Sequence, residues 1–93
     1  VYDLAKRAGL RTAEVNWPVT RGARELDWSF PDHPESVTHT TPELVERLVE
    51  LKLLSAPTNP AFYDLGAVGR DRVWTEAAVD LLKTRKPHLL LLH

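Results

Sequence analysis

Apolar side chains recur at helical spacing in three stretches of this chain. Between residues 42 and 54 they stand three or four positions apart, and Pro42 occupies the place of a first helical residue. From about residue 71 to 86 they form pairs that repeat every four residues. A shorter pattern at 2–8 ends at Gly9, which suits the left-handed conformation that closes a helix. These stretches are predicted to be helices.

Two further stretches have the character of β-strands. Residues 11–17 carry β-branched and aromatic side chains and end before Pro18. Residues 88–93 contain a continuous run of leucines directly after a predicted helix, which is typical of a parallel strand buried on both faces. The alternation of helices with such strands predicts an α/β fold with a mostly parallel sheet.

Two regions lack such a pattern. From Pro18 to Thr41 neither a two-residue nor a 3.6-residue apolar period is visible, so we expect a long loop anchored by its few apolar side chains. A second irregular stretch lies between residues 55 and 65. At the start of the helix near residue 42, Thr41 is the expected N-cap, and Glu43 and Arg47 are expected to pair on the solvent side.

Composition narrows the classes of function. With 93 residues the chain fits one small domain, and its 12 basic and 13 acidic residues give no basic excess, so no nucleic-acid partner is expected. The absence of cysteine excludes disulfides and thiolate chemistry, and no apolar run reaches the roughly 20 residues of a membrane span. Because the chain also lacks methionine and both ends interrupt a predicted element, we expect a segment of a longer protein.

The histidines are the first candidates for chemistry. His33 and His39 flank Glu35 in a proline-rich loop, where solvated side chains are expected rather than a metal site. His93 ends the predicted strand 88–93, and open α/β sheets bind their ligands at that edge. No phosphate-binding glycine loop and no hydroxyl nucleophile beside a base stands out, so the residues alone indicate no catalytic constellation.

Four stretches in a fixed order carry a family resemblance. They are YDLAKRAGLRTA at 2–13, VNWPVTRGA at 15–23, LDW at 26–28 with Pro31, and a helix opening at Asp71 that leads into KPHLLLLH at 86–93. This order resembles the type I phosphodiesterase/nucleotide pyrophosphatase family of the alkaline phosphatase superfamily. In that family a Trp-Pro segment follows the second helix–strand unit, and a Lys-Pro-Asp-Leu-Leu-Leu-Leu strand leads to a metal-binding Asp and His.

The resemblance implies a two-zinc hydrolase of phosphoric esters or nucleotides, built as an α/β/α sandwich. It also implies that the nucleophile and the metal ligands lie upstream of Val1 and beyond His93, so this chain would hold no catalytic residue, no metal ligand and no cofactor of its own. The family often has a substrate-contacting Tyr near the position of His93, which makes His93 a candidate for substrate binding. Phe62 and Tyr63 are candidates for a flat surface under a base. Relatives are commonly exported, so a periplasmic or extracellular location is an expectation.

Three parts of one larger catalytic domain are therefore expected. They are a helix–strand–loop part (1–35), a helix with an irregular insertion (36–69) and a helix–strand part (70–93). The alternative is a non-catalytic α/β interaction or dimerisation module. In either case the strands of an isolated segment would leave open edges, so we expect a homodimer or a swapped oligomer.

Overall fold

The structure, a computed structural model, describes residues 2–18, 25–31, 39–54 and 65–93. The helices and strands follow in the order α1 (Tyr2–Arg7), β1 (Thr12–Val15), β2 (Trp28–Phe30), α2 (Pro42–Glu50), α3 (Gly66–Thr84) and β3 (Leu89–Leu92). The predicted α/β class is confirmed. Among the helices in these ranges, none combines the length and the apolar character that a bilayer crossing requires.

The sheet has three strands in the order β2-β1-β3, and both pairings are parallel. In β1, Ala13 lies opposite Trp28 of β2 and Leu90 of β3, and Val15 lies opposite Phe30 and Leu92. Because side chains alternate along a strand, these residues share one face of the sheet. The parallel sheet predicted from the sequence is therefore confirmed.

The hydrophobic core lies between that face and helices α2 and α3. Phe30 is fully buried, and its ring meets that of Trp74 edge-to-face with the ring centres 6.3 Å apart. The core residues from the strands and helices are Ala13, Val15, Phe30, Leu44, Val45, Leu48, Leu54, Val73, Ala77, Ala78 and Leu81. This face is the apolar face of the sheet.

On β1 and β2 the opposite face of the sheet carries polar side chains that are also buried, beside the half-buried Leu89 and Leu91 of β3. Thr12 and Glu14 alternate with the core residues of β1, and both have 0% exposure. Ser29, which lies opposite Glu14 on β2, is also buried. Buried polar groups need hydrogen-bond partners to offset the loss of water. This polar face therefore depends on specific hydrogen bonds rather than on close packing alone.

At the amino end of β1, Asp27 provides such bonds. Its Oδ2 accepts the backbone N–H of Thr12 at 2.8 Å, and Lys6 of α1 forms an ion pair with Oδ1. Partial burial raises the pKa of Asp27, but the hydrogen bonds from Lys6 and Thr12 and the charge of Lys6 outweigh it, so the pKa lies below its usual value. Asp27 therefore joins α1, β1 and the start of β2.

Two helix boundaries differ from the prediction. Helix α2 ends at Glu50 rather than near residue 54, because Lys52 adopts a left-handed φ of 61°. The N–H groups of Leu53 and Leu54 both turn back to the carbonyl of Leu48, so the apolar period continues through a turn. Helix α3 begins at Gly66 rather than near residue 71, in a first turn whose exposed side chains give no amphipathic signal.

The predicted contacts around α2 are also corrected. Thr41 precedes the helix, but its hydroxyl makes no capping bond and instead accepts the N–H of Ser29 at 2.9 Å. The predicted Glu43–Arg47 pair is replaced by pairs with α3 and its C-terminal end. Arg47 binds Asp80 at 3.0 Å, and Glu43 binds Arg85 at 2.6 Å. The interhelical contacts form because α3 lies alongside α2, and Arg47 keeps a local partner in Glu50 at 3.3 Å.

Two predictions about strands are wrong in detail. The stretch from Pro18 to Thr41 was expected to be a loop throughout, but Trp28–Phe30 forms β2, a strand too short to show a period. The leucines of β3 were expected to be covered on both faces, yet three are half-buried and Leu92 is 45% exposed. Within the described residues β3 is an outer strand of the sheet, which explains that exposure.

Candidate functional site

The parallel strands bring their carboxyl ends to one edge of the sheet. Val15, Phe30 and Leu92 are in register, so the residues that follow them lie side by side. We call Asn16, Trp17, Pro31 and His93 the carboxyl edge. In open α/β sheets, ligands bind outside this edge, because loops and helix ends there surround a crevice.

Asn16 connects two strands at the carboxyl edge. It has a left-handed φ of 57°, a conformation in which asparagine is enriched. Its backbone N–H donates to the carbonyl of Phe30 at 2.7 Å, and its side-chain Nδ2 donates to the carbonyl of His93 at 3.1 Å. The N–H of His93 in turn donates to the carbonyl of Val15 at 3.2 Å. Asn16 and His93 are thus held against each other.

Glu14 lies directly beneath the carboxyl edge. Its Oε2 accepts the backbone N–H of Trp17 at 3.1 Å, and its Oε1 accepts the hydroxyl proton of Ser29. A carboxylate enclosed in a sheet is costly unless donors surround it. These two bonds connect the turn after β1 with the neighbouring strand β2.

A cavity of about 520 Å³ opens beside the carboxyl edge, and we call it the edge cavity. The first half of α3 forms its far wall. Its lining residues are Asn16, Asp71, Trp74, Thr75, Leu92 and His93. The volume falls within the roughly 300–1,000 Å³ of small-molecule sites, and the lining places two apolar side chains, Trp74 and Leu92, beside four polar ones.

A smaller cavity of about 290 Å³ lies between the end of α2 and the middle of α3. It is lined by Leu51, Leu53, Glu76, Val79, Asp80 and Lys83. Asp80 is already paired with Arg47. This cavity lies away from the strand ends and brings no polar groups together beside the sheet, so the edge cavity is the stronger candidate.

The predicted site residues have different outcomes. His93 lies at the carboxyl edge and lines the edge cavity, as expected for a strand-end residue, and its role in binding stays a prediction. Phe62 and Tyr63 lie outside the described residues, and so do His33 and Glu35. His39 belongs to the described residues, precedes α2 and is half-buried.

The described residues do not fit a two-zinc centre. Within residues 2–18, 25–31, 39–54 and 65–93, no three histidine or carboxylate side chains come together. Of the described residues that line the edge cavity, Asp71 and His93 are the two of the kinds that zinc prefers.

Glu14 and Asn16 are not among the site residues predicted from the sequence. The available signal was local: a single acidic residue inside a predicted strand, followed by an asparagine just before Trp17 and Pro18. A strand this short does not show which of its faces will be enclosed, so the burial of Glu14 follows only from the tertiary structure.

Comparisons with family models, curated proteins and solved structures return no match. Membership of the phosphodiesterase family therefore stays a prediction that the order of the motifs supports.

Proposed function

We propose that this chain is a segment of a metal-dependent hydrolase of phosphoric ester bonds, similar to the phosphodiesterase/nucleotide pyrophosphatase family. The supporting observation is the position of His93. It directly follows the parallel strand β3, lies at the carboxyl edge and lines a cavity large enough for the organic group of an ester. By the family resemblance, β3 would be the strand that leads toward the metal-binding residues.

The edge cavity would bind and orient the organic part of the substrate. His93 and Asn16 form one wall, and Asp71 and Thr75 on α3 supply an acceptor and a hydroxyl from the other. Binding energy from such remote contacts raises the rate when it fixes the reacting bond in position. In the whole enzyme, bound zinc would activate the nucleophile and neutralise phosphoryl charge.

The proposal extends to the architecture. The parts 1–35, 36–69 and 70–93 would belong to one α/β/α sandwich whose parallel sheet continues beyond the strands described. The protein would then act on phosphoesters or nucleotides, with two zinc ions held by residues outside this chain, in the periplasm or outside the cell.

The test is hydrolysis of bis(4-nitrophenyl) phosphate by the full-length protein with and without zinc, comparing His93→Ala with His88→Ala. His88 is the matched control, an exposed histidine at the opposite end of the same strand. We expect zinc-dependent hydrolysis and a loss in kcat/KM of about tenfold for His93→Ala, equal to one substrate contact of about 1.4 kcal/mol. His88→Ala should stay near wild type.

Two results would contradict different parts of the proposal. If the full-length protein shows no zinc-dependent diesterase activity, the hydrolase assignment fails. If it is active but His93→Ala and His88→Ala have the same kcat/KM, His93 does not contact the substrate. The isolated 93-residue chain is expected to be inactive, and zinc-dependent turnover by it would show that ligands and nucleophile lie within it.

The alternative is a non-catalytic module that pairs with a second copy through β3. Its supporting observation is the exposure of apolar side chains, with Leu92 of β3 at 45% and Leu82 of α3 at 53%. An unpaired outer strand is a ready template for another strand. Light scattering over a range of concentrations is the test: a growing dimer fraction supports pairing, and a constant monomer mass rules it out.

A further inference from the structure

Glu14 is an unusual occupant of its position. It lies on the central strand of the sheet with 0% exposure, between the core residues Ala13 and Val15. Glutamate is almost never fully buried unless it is paired, and an apolar residue of similar volume is often no less stable at such a place. The site therefore calls for an explanation that packing does not provide.

The hydrogen bonds of the Glu14 carboxylate connect it to the turn after β1 and to β2. One oxygen holds the N–H of Trp17, three residues further along the chain, and the other holds the hydroxyl of Ser29 on β2. Between Glu14 and Trp17, Asn16 adopts its left-handed conformation. The carboxylate thus fixes both the end of this turn and its position relative to the neighbouring strand.

The turn leads directly to the edge cavity. Asn16 is bound to Phe30 through its backbone and to the carbonyl of His93 through its side chain. Asn16 and His93 both line the cavity. We propose that Glu14 is the positioning residue of the edge cavity: its carboxylate holds the turn at Asn16 and Trp17, and the turn holds His93. This inference rests on the proposed function only in taking the edge cavity as the substrate site.

Side-chain chemistry predicts how substitutions at position 14 differ. In Glu14→Gln, the amide oxygen can still accept the N–H of Trp17, and the amide N–H can donate to Ser29, whose hydroxyl both donates and accepts. In Glu14→Leu, neither bond can form. Glutamine should therefore preserve the turn to a large extent, and leucine should release it.

Thr12→Val is the matched control. Thr12 lies on the same strand and the same face, is equally buried, and donates its hydroxyl to the carbonyl of Glu25 at 2.7 Å. It is at the amino end of β1, away from the edge cavity. Thr12→Val is expected to lower the free energy of unfolding without a selective effect on the amides at the carboxyl edge.

The experiment is residue-resolved amide hydrogen exchange of the 93-residue chain and its variants. In Glu14→Leu, exchange at Trp17 and His93 should rise by about tenfold beyond the rise at core amides, because local opening is governed by the bonds lost there. Glu14→Gln should recover most of the protection. In Thr12→Val, exchange at the two edge amides should change in step with the core.

The result that overturns the proposal is equal behaviour of Glu14→Leu and Thr12→Val at the edge amides. If Glu14→Leu does not fold, Ser29→Ala, which removes one of the donors to Glu14, should still raise exchange at Trp17 selectively by about threefold. No selective change in Ser29→Ala would then overturn it.

Kinetics of the full-length protein separate this proposal from the proposed function. Glu14→Leu should raise KM for the diester more than it lowers kcat, because the cavity contacts the organic group rather than the reacting bond. Selective exchange without any diesterase activity in wild type would uphold the positioning role and reject the hydrolase. Diesterase activity in wild type without a selective rise in exchange in Glu14→Leu would uphold the hydrolase and reject the positioning role.

Discussion

Two acidic side chains hold the two ends of β1 by hydrogen bonds, and they differ in how far they are buried. At the amino end, Asp27 accepts the N–H of Thr12; at the carboxyl end, Glu14 accepts the N–H of Trp17. Asp27 is half-exposed and carries an ion pair with Lys6. Glu14 is fully enclosed, with a backbone N–H and a hydroxyl among its donors.

The two carboxylates differ in the free-energy cost of their burial. A partly exposed carboxylate keeps some of its hydration, and for Asp27 the bonds from Lys6 and Thr12 outweigh the cost of partial burial. An enclosed carboxylate depends on its donors for all the stabilisation that water would provide. Natural proteins depart from local rules chiefly at functional sites, and here the costly group lies at the end of the strand where the edge cavity opens.

The largest expected loss of stability comes from the apolar face of the sheet, and the losses at the two acidic residues can be compared with it. Phe30→Ala removes a fully buried ring next to Ser29 and should lower the free energy of unfolding by about 3–5 kcal/mol. Urea unfolding followed by circular dichroism measures it. A loss below about 1 kcal/mol would mean that this face is not the main core.

The next largest effect is expected at the enclosed acid. Glu14→Ala leaves the N–H of Trp17 and the hydroxyl of Ser29 without this acceptor, and should cost about 2–3 kcal/mol. The same urea titration gives the value. If Glu14→Ala costs no more than Asp27→Ala, the two ends of β1 are energetically alike and the contrast between them is lost.

A smaller effect is expected at the half-exposed acid. Asp27→Asn keeps an oxygen that can accept the N–H of Thr12 but removes the charge that pairs with Lys6, so a loss of about 0.5–1 kcal/mol is expected at neutral pH. Thermal unfolding of wild type and variant in parallel is sufficient to measure it. Greater stability of the variant than of wild type at neutral pH would contradict the role given to Asp27.

The same variant predicts a pH dependence. The pKa of Asp27 is lowered in the folded state by Lys6 and Thr12, so its carboxylate stabilises the fold fully above the pKa that Asp27 has in the unfolded chain. That contribution is lost as the pH falls through the folded pKa. The difference between wild type and Asp27→Asn should therefore shrink in acid below about pH 4. A difference that stays constant into acid would show that the charge of Asp27 contributes nothing.

The smallest effect is expected for Lys6→Gln, which removes the ion pair but leaves the bond between Asp27 and Thr12. Because both side chains reach solvent, the cost should be about 0.5 kcal/mol or less and should disappear in high salt. Measuring unfolding at low and high salt tests this. A large, salt-independent loss would mean that Lys6 packs the fold rather than pairing with Asp27.

The sequence predicted the parts of the fold that depend on local pattern. Helix α3, helix α2 and the leucine strand all have enough residues for a period or a run to stand out, and Gly9 closes α1 with the expected left-handed φ of 80°. Strand β2 escaped prediction because three residues cannot show a period and because its pairing with β1 is nonlocal. The same reasoning explains the interhelical pairing of Arg47 with Asp80, which no local spacing indicates.

The candidate site was predictable only in outline. His93 could be placed at the carboxyl edge because it follows a recognisable strand. The edge cavity could not, since its far wall comes from Asp71, Trp74 and Thr75, whose position depends on how α3 packs on the sheet. The enclosure of Glu14 likewise depends on neighbours that come together only when the strands pair.

The parallel pairing of β1 with β3 has a consequence for how the chain folds. Arg11 and His88, which are bonded at the start of this pairing, are 77 residues apart in the chain. During synthesis β1 leaves the ribosome well before β3, its second neighbour in the sheet. Closing so long a loop slows folding, and the waiting strand offers an unpaired side to other chains. We expect nascent chains that stop before Leu89 to remain incompletely folded and to depend on chaperones.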